Sequence, residues 1–358
     1  MHRNYRIQIL KIPPVIVILL ICAALTAEGA TLKPSDYEMA VVLETIDYVF
    51  ADSFERAREI TNALNDTFPG QPLYHLLIAS IIHSQMMDGE DFSSEKEFMT
   101  NIDYCLDALE RWTEKYPDDP WGHFFIGSAQ GYKAIWQGQK GSWLKSLLSG
   151  LKAKGKFYDA LKLDPWLYDC YTGIGSYHYW SSVKLRKIFP FLSDDRRKGL
   201  EELKLAMDSS YISRPAAAIG YGWALLNERK YSDALKVARA LHDSTGGARN
   251  ALWLLGGIYW SKGDLRNAAE NYGMLINSLE RAGDQNYYNL IYCRYRRGFC
   301  LYGLKKYKEA ELEFRAILSY KPSREIRDRH GKTFQKTKEY LEKIGIESAA
   351  QAQTQSRD

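Results

Sequence analysis

The residues best suited to bind a partner recur at helical spacing near the C-terminal end of the chain. Tyr288, Tyr292 and Tyr295 follow one another at steps of four and three residues, and Asn289 and Arg296 lie beside them. Large tyrosine rings and forked guanidinium groups often dominate binding interfaces. Two interpretations remain open at this stage: a partner-binding surface, or three tyrosines that pack on the neighbouring helical unit beside solvated arginines.

A second group combines positive charge with large aromatic rings. Residues 133–198 contain 13 Lys or Arg and 5 Asp or Glu. The side chains that could form a membrane or ligand surface there are Trp143, Trp180, Lys184, Arg186, Lys187, Phe189 and Phe191. In the same segment Leu144, Leu147, Leu148 and Leu151 are spaced as one helix face, and such a stripe is usually buried. The spacing favours a buried leucine stripe whose neighbouring lysines face water.

Patterns that would indicate catalysis or metal binding are missing from the sequence. The seven histidines are dispersed, and none has the paired spacing of a zinc-binding helix. Gly173 and Gly175 lie inside a helical pattern, without the strand and loop that would cradle a phosphate. We therefore predict a protein that is not an enzyme and that uses no metal or cofactor.

The N-terminal residues resemble a targeting signal. Three basic residues precede an apolar run over residues 15–25, and the small residues Ala27, Gly29 and Ala30 follow it. The run is shorter than the roughly 20 residues that cross a bilayer comfortably. We predict that residues 1–29 are a cleaved signal peptide, with an uncleaved anchor as the alternative, and that the protein is exported to the periplasm or the envelope.

Composition limits the remaining classes of protein. Of the 358 residues, 46% are hydrophobic, 13% are aromatic and only 11 are proline, which suits packed helices better than a turn-rich sheet protein. The formal net charge of +4 gives no chain-wide field that would favour nucleic acid as a partner. Cys293 and Cys300 are separated by about 10 Å on a helix, too far for a disulfide. Buried thiols are the default, and a bridge between Cys105 and Cys170 stays open.

One spacing recurs three times in the C-terminal half. The three sets are Gly222, Tyr231 and Ala234; Gly256, Leu265 and Ala268; and Gly298, Tyr307 and Ala310. In each set the intervals are nine and three residues. The small residues let two antiparallel helices approach closely, while the large residue between them fills the turn. The chain is therefore predicted to repeat one helical hairpin.

These positions resemble the tetratricopeptide repeat, a helical hairpin of about 34 residues. The resemblance is good over residues 216–322 and looser over residues 30–215, which would contain divergent hairpins, two of them long. It implies an all-α, right-handed solenoid of about seven hairpins, preceded by the signal peptide. A capping helix is predicted for residues 323–345 and a polar, disordered tail for residues 346–358.

Together these features predict a non-enzymatic, extracytoplasmic scaffold for protein–protein interaction, with a protein partner that the sequence does not name. The alternative is a small-molecule or lipid-binding accessory subunit of an envelope transport or assembly system, in peripheral contact with an anionic membrane. An apolar pocket between residues 136 and 192 would favour that alternative.

Overall fold

The computed structural model describes residues 30–187, 189, 191, 193–283 and 286–355, with side chains through residue 347. The predicted signal peptide, residues 1–29, lies outside these ranges. Within them the chain forms sixteen helices and no strand.

The helices have the following bounds. The first eight are α1 (Asp36–Phe50), α2 (Phe54–Thr67), α3 (Pro72–Gly89), α4 (Glu95–Lys115), α5 (Pro120–Gln139), α6 (Trp143–Leu163), α7 (Cys170–Leu185) and α8 (Arg196–Ser209). The others are α9 (Arg214–Asn227), α10 (Tyr231–Ser244), α11 (Arg249–Lys262), α12 (Leu265–Arg281), α13 (Tyr287–Gly303), α14 (Tyr307–Ser319), α15 (Arg324–Arg329) and α16 (Gly331–Gln355).

Successive helices pack in pairs, and each pair packs on the next. The pairs α1–α2, α3–α4, α5–α6, α7–α8, α9–α10, α11–α12 and α13–α14 form seven hairpins, and α16 closes the last one by packing on α13 and α14. Each helix therefore packs mainly against its neighbours in sequence. The protein is an all-α array of tetratricopeptide-like hairpins, which confirms the fold class predicted from the spacing.

The recurring spacing has a direct structural basis. Ala234, Ala268 and Ala310 are fully buried at the start of the second helix of their hairpins. A left-handed backbone conformation also recurs seven residues after each repeat glycine, at Arg229, Gly263 and Lys305. This conformation turns the chain between the two helices, so the geometry that recurs among the three hairpins lies in the turn as well as in the helix contact. The Arg and Lys at two of these positions show that the turn tolerates a side chain.

The repeat glycines are needed where helices approach closely. A Cβ atom on Gly256 would lie 2.9 Å from the Asn271 Oδ1 atom, and one on Gly298 would lie 2.7 Å from the Phe314 ring. Both contacts are made within one hairpin, as predicted. A Cβ on Gly222 would instead lie 2.4 Å from Leu254 in the next hairpin.

The spacing from the left-handed turn residue to the buried alanine, five residues in each repeat, also explains how α6 is oriented. Gly141 adopts a left-handed conformation, and five residues later Ser146 occupies the position that the repeats give to alanine. The face that follows it, Gly150, Ala153 and Phe157, packs inward: a Cβ on Gly150 would lie 2.9 Å from Tyr177 in α7.

The predicted burial of the leucine stripe on α6 is wrong. Leu144, Leu148 and Leu151 are 59%, 54% and 48% exposed, and Leu147 is half-buried. The close helix contact selects small residues, so the inward face of this half of α6 is made of serine, glycine and alanine and the leucines lie on the opposite face.

The C-terminal region forms two helices. The short helix α15 precedes α16, and Ile344 of α16 is buried in the core of the last hairpins. The helix predicted for residues 323–345 is therefore longer, because α16 continues to Gln355 into the segment predicted as a disordered tail.

The four cysteines from Cys105 onward are buried and unbridged. Cys105 and Cys170 therefore carry free thiols, and burial raises the pKa of Cys105 to about 12. A thiol with so high a pKa is a poor nucleophile near neutral pH, so these cysteines act as small apolar side chains.

Candidate functional site

The two ends of the hairpin array meet through a largely buried ion pair. Arg249, at the start of α11, donates to both carboxylate oxygens of Asp88 at the end of α3, over 2.8 and 2.6 Å. Its backbone N–H donates to Asp52, in the turn between α1 and α2, over 2.7 Å. These partners are 161 and 197 residues apart in sequence. We call this contact between the first two hairpins and the last ones the junction.

Two of the residues predicted to bind a partner belong to the junction. The Asn289 side chain is buried and donates its amide to the Asp88 carbonyl over 2.8 Å, and Asn286 donates to the same oxygen over 2.9 Å. Tyr288 is half-buried beneath Arg329, whose guanidinium carbon lies 3.8 Å from the ring centre. Arg329 in turn pairs with Glu90, directly after α3, over 2.6 Å. Asn289, and Tyr288 through Arg329, therefore stabilise the contact between the two ends.

A pocket of about 1010 Å³ lies at the junction. Its walls are largely charged and polar, and they include Asp52, Gln85, Asp88, Thr245 and Arg281. Burial raises the pKa of Asp52 to about 6, against the opposing effect of Arg249. The pocket can hold a polar ligand. It does not lie between residues 136 and 192, where an apolar pocket would have favoured the ligand-binding alternative.

The other predicted partner-binding residues of α13 divide between two faces. Arg296 stacks between two aromatic rings: its guanidinium carbon lies 3.7 Å from the Trp260 ring centre and 4.9 Å from that of Tyr292. Tyr292 also contacts Trp253, with ring centres 5.8 Å apart. Tyr295 instead lies near Phe314, the second helix of its own hairpin, with ring centres 6.3 Å apart.

The face that carries Arg296 continues across the first helices of three hairpins. Phe299 of α13 contacts Trp260 of α11 with ring centres 5.1 Å apart, and a Cβ on Gly257 would lie 3.4 Å from Trp223 of α9. All these large side chains are half-buried, so part of each ring remains available. We call this surface the aromatic row; its members are Trp223, Trp253, Trp260, Tyr292, Arg296 and Phe299.

The sequence does contain a signal for the aromatic row, but it appears only when the three hairpins are compared with one another and not in α13 alone. The residue after each repeat glycine is Trp223, Gly257 or Phe299. Two hairpins therefore place a large ring at this position. The hairpin between them has Gly257 there, which leaves room for the Trp223 ring.

The predicted membrane or ligand residues lie on an exposed region. Trp143, Trp180, Phe189 and Phe191 are exposed large apolar side chains, and Lys184 and Lys187 are exposed as well. Arg186 differs because it is half-buried and lies 3.6 Å from the Asp194 carboxylate.

Side chains with reactive chemistry are held in internal contacts. His178 is buried, and its Nδ1 atom lies 2.6 Å from the Glu202 carboxylate. Among the residues described, no group of three or more His, Cys, Asp or Glu side chains is placed to hold a metal ion. Nor does any helix in the described ranges combine the length and apolar character needed to cross a membrane.

Comparison with solved structures finds 55 chains that match this one, of which two follow. A tetratricopeptide repeat protein from Parabacteroides merdae aligns at 12% identity over 85% of this chain and 97% of that chain, with a TM-score of 0.36. Human IFIT1, determined as a dimer with m7Gppp-AAAA, aligns at 13% identity over 88% of this chain and 81% of that chain, with a TM-score of 0.35. The chain matches no protein-family profile and no curated protein sequence.

Proposed function

We propose that the protein is an exported, non-enzymatic scaffold that binds a protein partner along the aromatic row. The observation that carries this proposal is the continuity of half-buried rings across the first helices of three successive hairpins. An array of hairpins presents such a face as one extended surface, which suits a peptide or a helix of another protein.

The chemistry of the row supports binding. Arg296 is already oriented by the Trp260 and Tyr292 rings, so little side-chain entropy remains to be lost when it meets a carboxylate or a carbonyl oxygen. The rings beside it supply apolar contact area. A central Trp, Tyr and Arg group of this kind is the composition that dominates measured interface energies.

The test is capture of partners from the native envelope fraction, followed by mass spectrometry. We expect Trp260→Ala combined with Arg296→Ala to lose the captured partner while the protein keeps its helical content. The matched control is Trp166→Ala with Arg324→Ala, because that pair removes an exposed Trp and an exposed Arg outside the row. Equal capture by both double variants would argue against the row as the binding surface.

Export is a separate part of the proposal, supported by the order of basic, apolar and small residues in residues 1–29. Residues 1–35 fused to a reporter that is active only outside the cytoplasm should give activity. An intact but silent fusion would remove the extracytoplasmic part and leave the scaffold proposal in place.

The junction pocket supports a second candidate, binding of a small polar molecule by an accessory subunit of an envelope transport or assembly system. Native mass spectrometry of protein purified from its own source should then show a bound mass that Gln85→Trp removes by filling the pocket. Protein that carries no such mass in either form would contradict this candidate.

A further inference from the structure

The exposed leucines of α6 form a continuous apolar ridge. Trp143, Leu144, Leu148 and Leu151 are each about half exposed, and the last three lie four and three residues apart on one face of the helix. We call these four residues the α6 ridge. Exposed apolar side chains are common when scattered singly, but a contiguous set on one helix face indicates an interaction surface.

The neighbouring helices leave this ridge uncovered. A Cβ on Gly138 of α5 would lie 3.1 Å from Ser146, and Gly150 meets Tyr177 of α7, so both neighbours pack on the opposite face of α6. The ridge therefore has no walls that would make it a groove for a helix or an extended peptide. A protruding apolar ridge is complementary to a planar, deformable surface.

Positive charge flanks the ridge. Lys145, Lys152 and Lys156 are spaced seven and four residues apart, which places them along one side of the leucines. None of the three forms an ion pair with a carboxylate within the described part of the chain. The only acidic residue of α6 is Asp159, near its C-terminal end, where it pairs with Lys162. The region is thus complementary to a dense layer of negative charge.

A second exposed segment lies beside the N-terminal half of α6. The helices α6 and α7 are consecutive and pack side by side, and Lys154 lies over the Tyr177 ring at 4.7 Å. The next turns of α7 therefore run beside the N-terminal end of α6. They carry exposed Trp180 and Lys184, and the following loop carries Phe191, which is 83% exposed.

We propose that the α6 ridge docks the protein onto an anionic lipid surface, with the leucines at the level of the acyl chains and the flanking lysines at the phosphates. Trp143 and Trp180 would lie in the interfacial layer that tryptophan side chains prefer. An acidic protein helix would satisfy the lysines but would leave a wall-less leucine ridge partly in water, so lipid fits both features. This docking goes beyond the proposed protein-binding function and does not depend on it.

The experiment is vesicle flotation of protein that begins at Ala30. This form contains every described helix, and its fold begins at Thr31 and Leu32, which donate to Asp119. It also lacks the apolar run at the N-terminus, which would bind vesicles by itself. We expect flotation with phosphatidylglycerol-containing vesicles, weak flotation with phosphatidylcholine vesicles, and a steep loss with salt, because screening weakens the lysine contribution.

Two variants assign the binding to α6. Leu144→Ser, Leu148→Ser and Leu151→Ser together should lower the vesicle-bound fraction at least tenfold, and so should Lys145→Glu, Lys152→Glu and Lys156→Glu together. The control, Leu312→Ser with Leu318→Ser, removes exposed leucines of α14 and should float like the unchanged protein.

Circular dichroism first establishes that each variant is folded, so a loss of flotation reports a loss of vesicle binding. Absence of flotation at low salt with anionic vesicles would overturn the proposal, and so would equal flotation of the leucine variant. An α6 ridge that binds an acidic protein instead would show capture that depends on the ridge without any flotation. Partner capture through Trp260 and Arg296 is measured separately, so either proposal can fail alone.

Discussion

At the scale of single residues, glycine positions decide how closely the helices pack. Gly256 faces Asn271 and Tyr272, both of which are almost fully buried. Tyr272 fills the space that a side chain at position 256 would take. The backbone of α11 can therefore approach α12 only because this residue has no Cβ.

Gly256→Leu should destabilise the protein by about 1 to 3 kcal/mol, because the added side chain must displace Tyr272 or separate the helices. Gly155→Leu is the control: Gly155 is on the surface of α6, and a Cβ there would meet no atom within 4 Å. Denaturant unfolding of both variants measures the difference. An unchanged midpoint for Gly256→Leu would contradict the packing described here.

Asp52 should make the stability of the protein depend on pH. Its pKa is about 6 in the folded protein and 3.8 when unperturbed, so the folded state binds the proton more tightly. The stability contributed by protonated Asp52 is therefore fully present below about pH 4 and is lost as the pH rises through 6. Between these two pH values, the contribution of Asp52 to the free energy of unfolding should change by no more than about 3 kcal/mol.

Asp52→Asn removes this titration. The unchanged protein should therefore gain unfolding free energy relative to the variant as the pH falls from 7 to 4. Parallel pH profiles for the two proteins would show that Asp52 does not titrate in this range.

At the scale of helices, the sequence predicts the repeated unit well and the orientation of α6 badly. The spacing of Gly256, Leu265 and Ala268 identifies the hairpin because it reflects contacts within one local unit. On α6 the hydrophobic stripe suggests the wrong face, because the inward side is selected by size rather than by hydrophobicity. In the repeats the buried alanine follows the left-handed turn residue by five positions, and Ser146 follows Gly141 by the same number. This spacing predicts the correct inward face of α6.

This orientation predicts unequal costs for two sets of substitutions in α6. Replacing Leu148 with Ser should change the unfolding free energy by about 0.5 kcal/mol or less, as for most surface substitutions. Phe157→Ala should cost about 3 to 5 kcal/mol, because Phe157 is buried against Gly127 and Gly173. Thermal or denaturant unfolding measures both, and a large loss for Leu148→Ser would indicate that the stripe is covered.

At the scale of the whole molecule, the junction was beyond the reach of local patterns. Arg249 and Asp88 are 161 residues apart, and neither belongs to a recognisable motif. Asn289 is read from the sequence as a surface residue because its burial depends on the return of the array to its own beginning. Tyr288 is read in the same way because the Arg329 side chain that covers it lies far along the chain. Only Tyr292 and Arg296 of the predicted set lie in the aromatic row.

Arg249→Ala should open the junction. Removing one partner of a buried ion pair leaves Asp88 and Asp52 without their main cation and costs about 3 to 5 kcal/mol. Small-angle X-ray scattering should show a larger radius of gyration for the variant. The exposed pair Arg324 and Asp328 is the control, because Arg324→Ala should leave the scattering curve unchanged.

The junction also changes how the chain unfolds. An open repeat array loses its terminal hairpins first, since each end has only one neighbour. Here Asp52 and Asp88 attach the first two hairpins to the sixth, so fraying at that end requires the long-range contact to break as well. Amide hydrogen exchange in α1 and α3 should therefore be nearly as slow as in α11 and α12, and Arg249→Ala should accelerate it selectively in the first two hairpins.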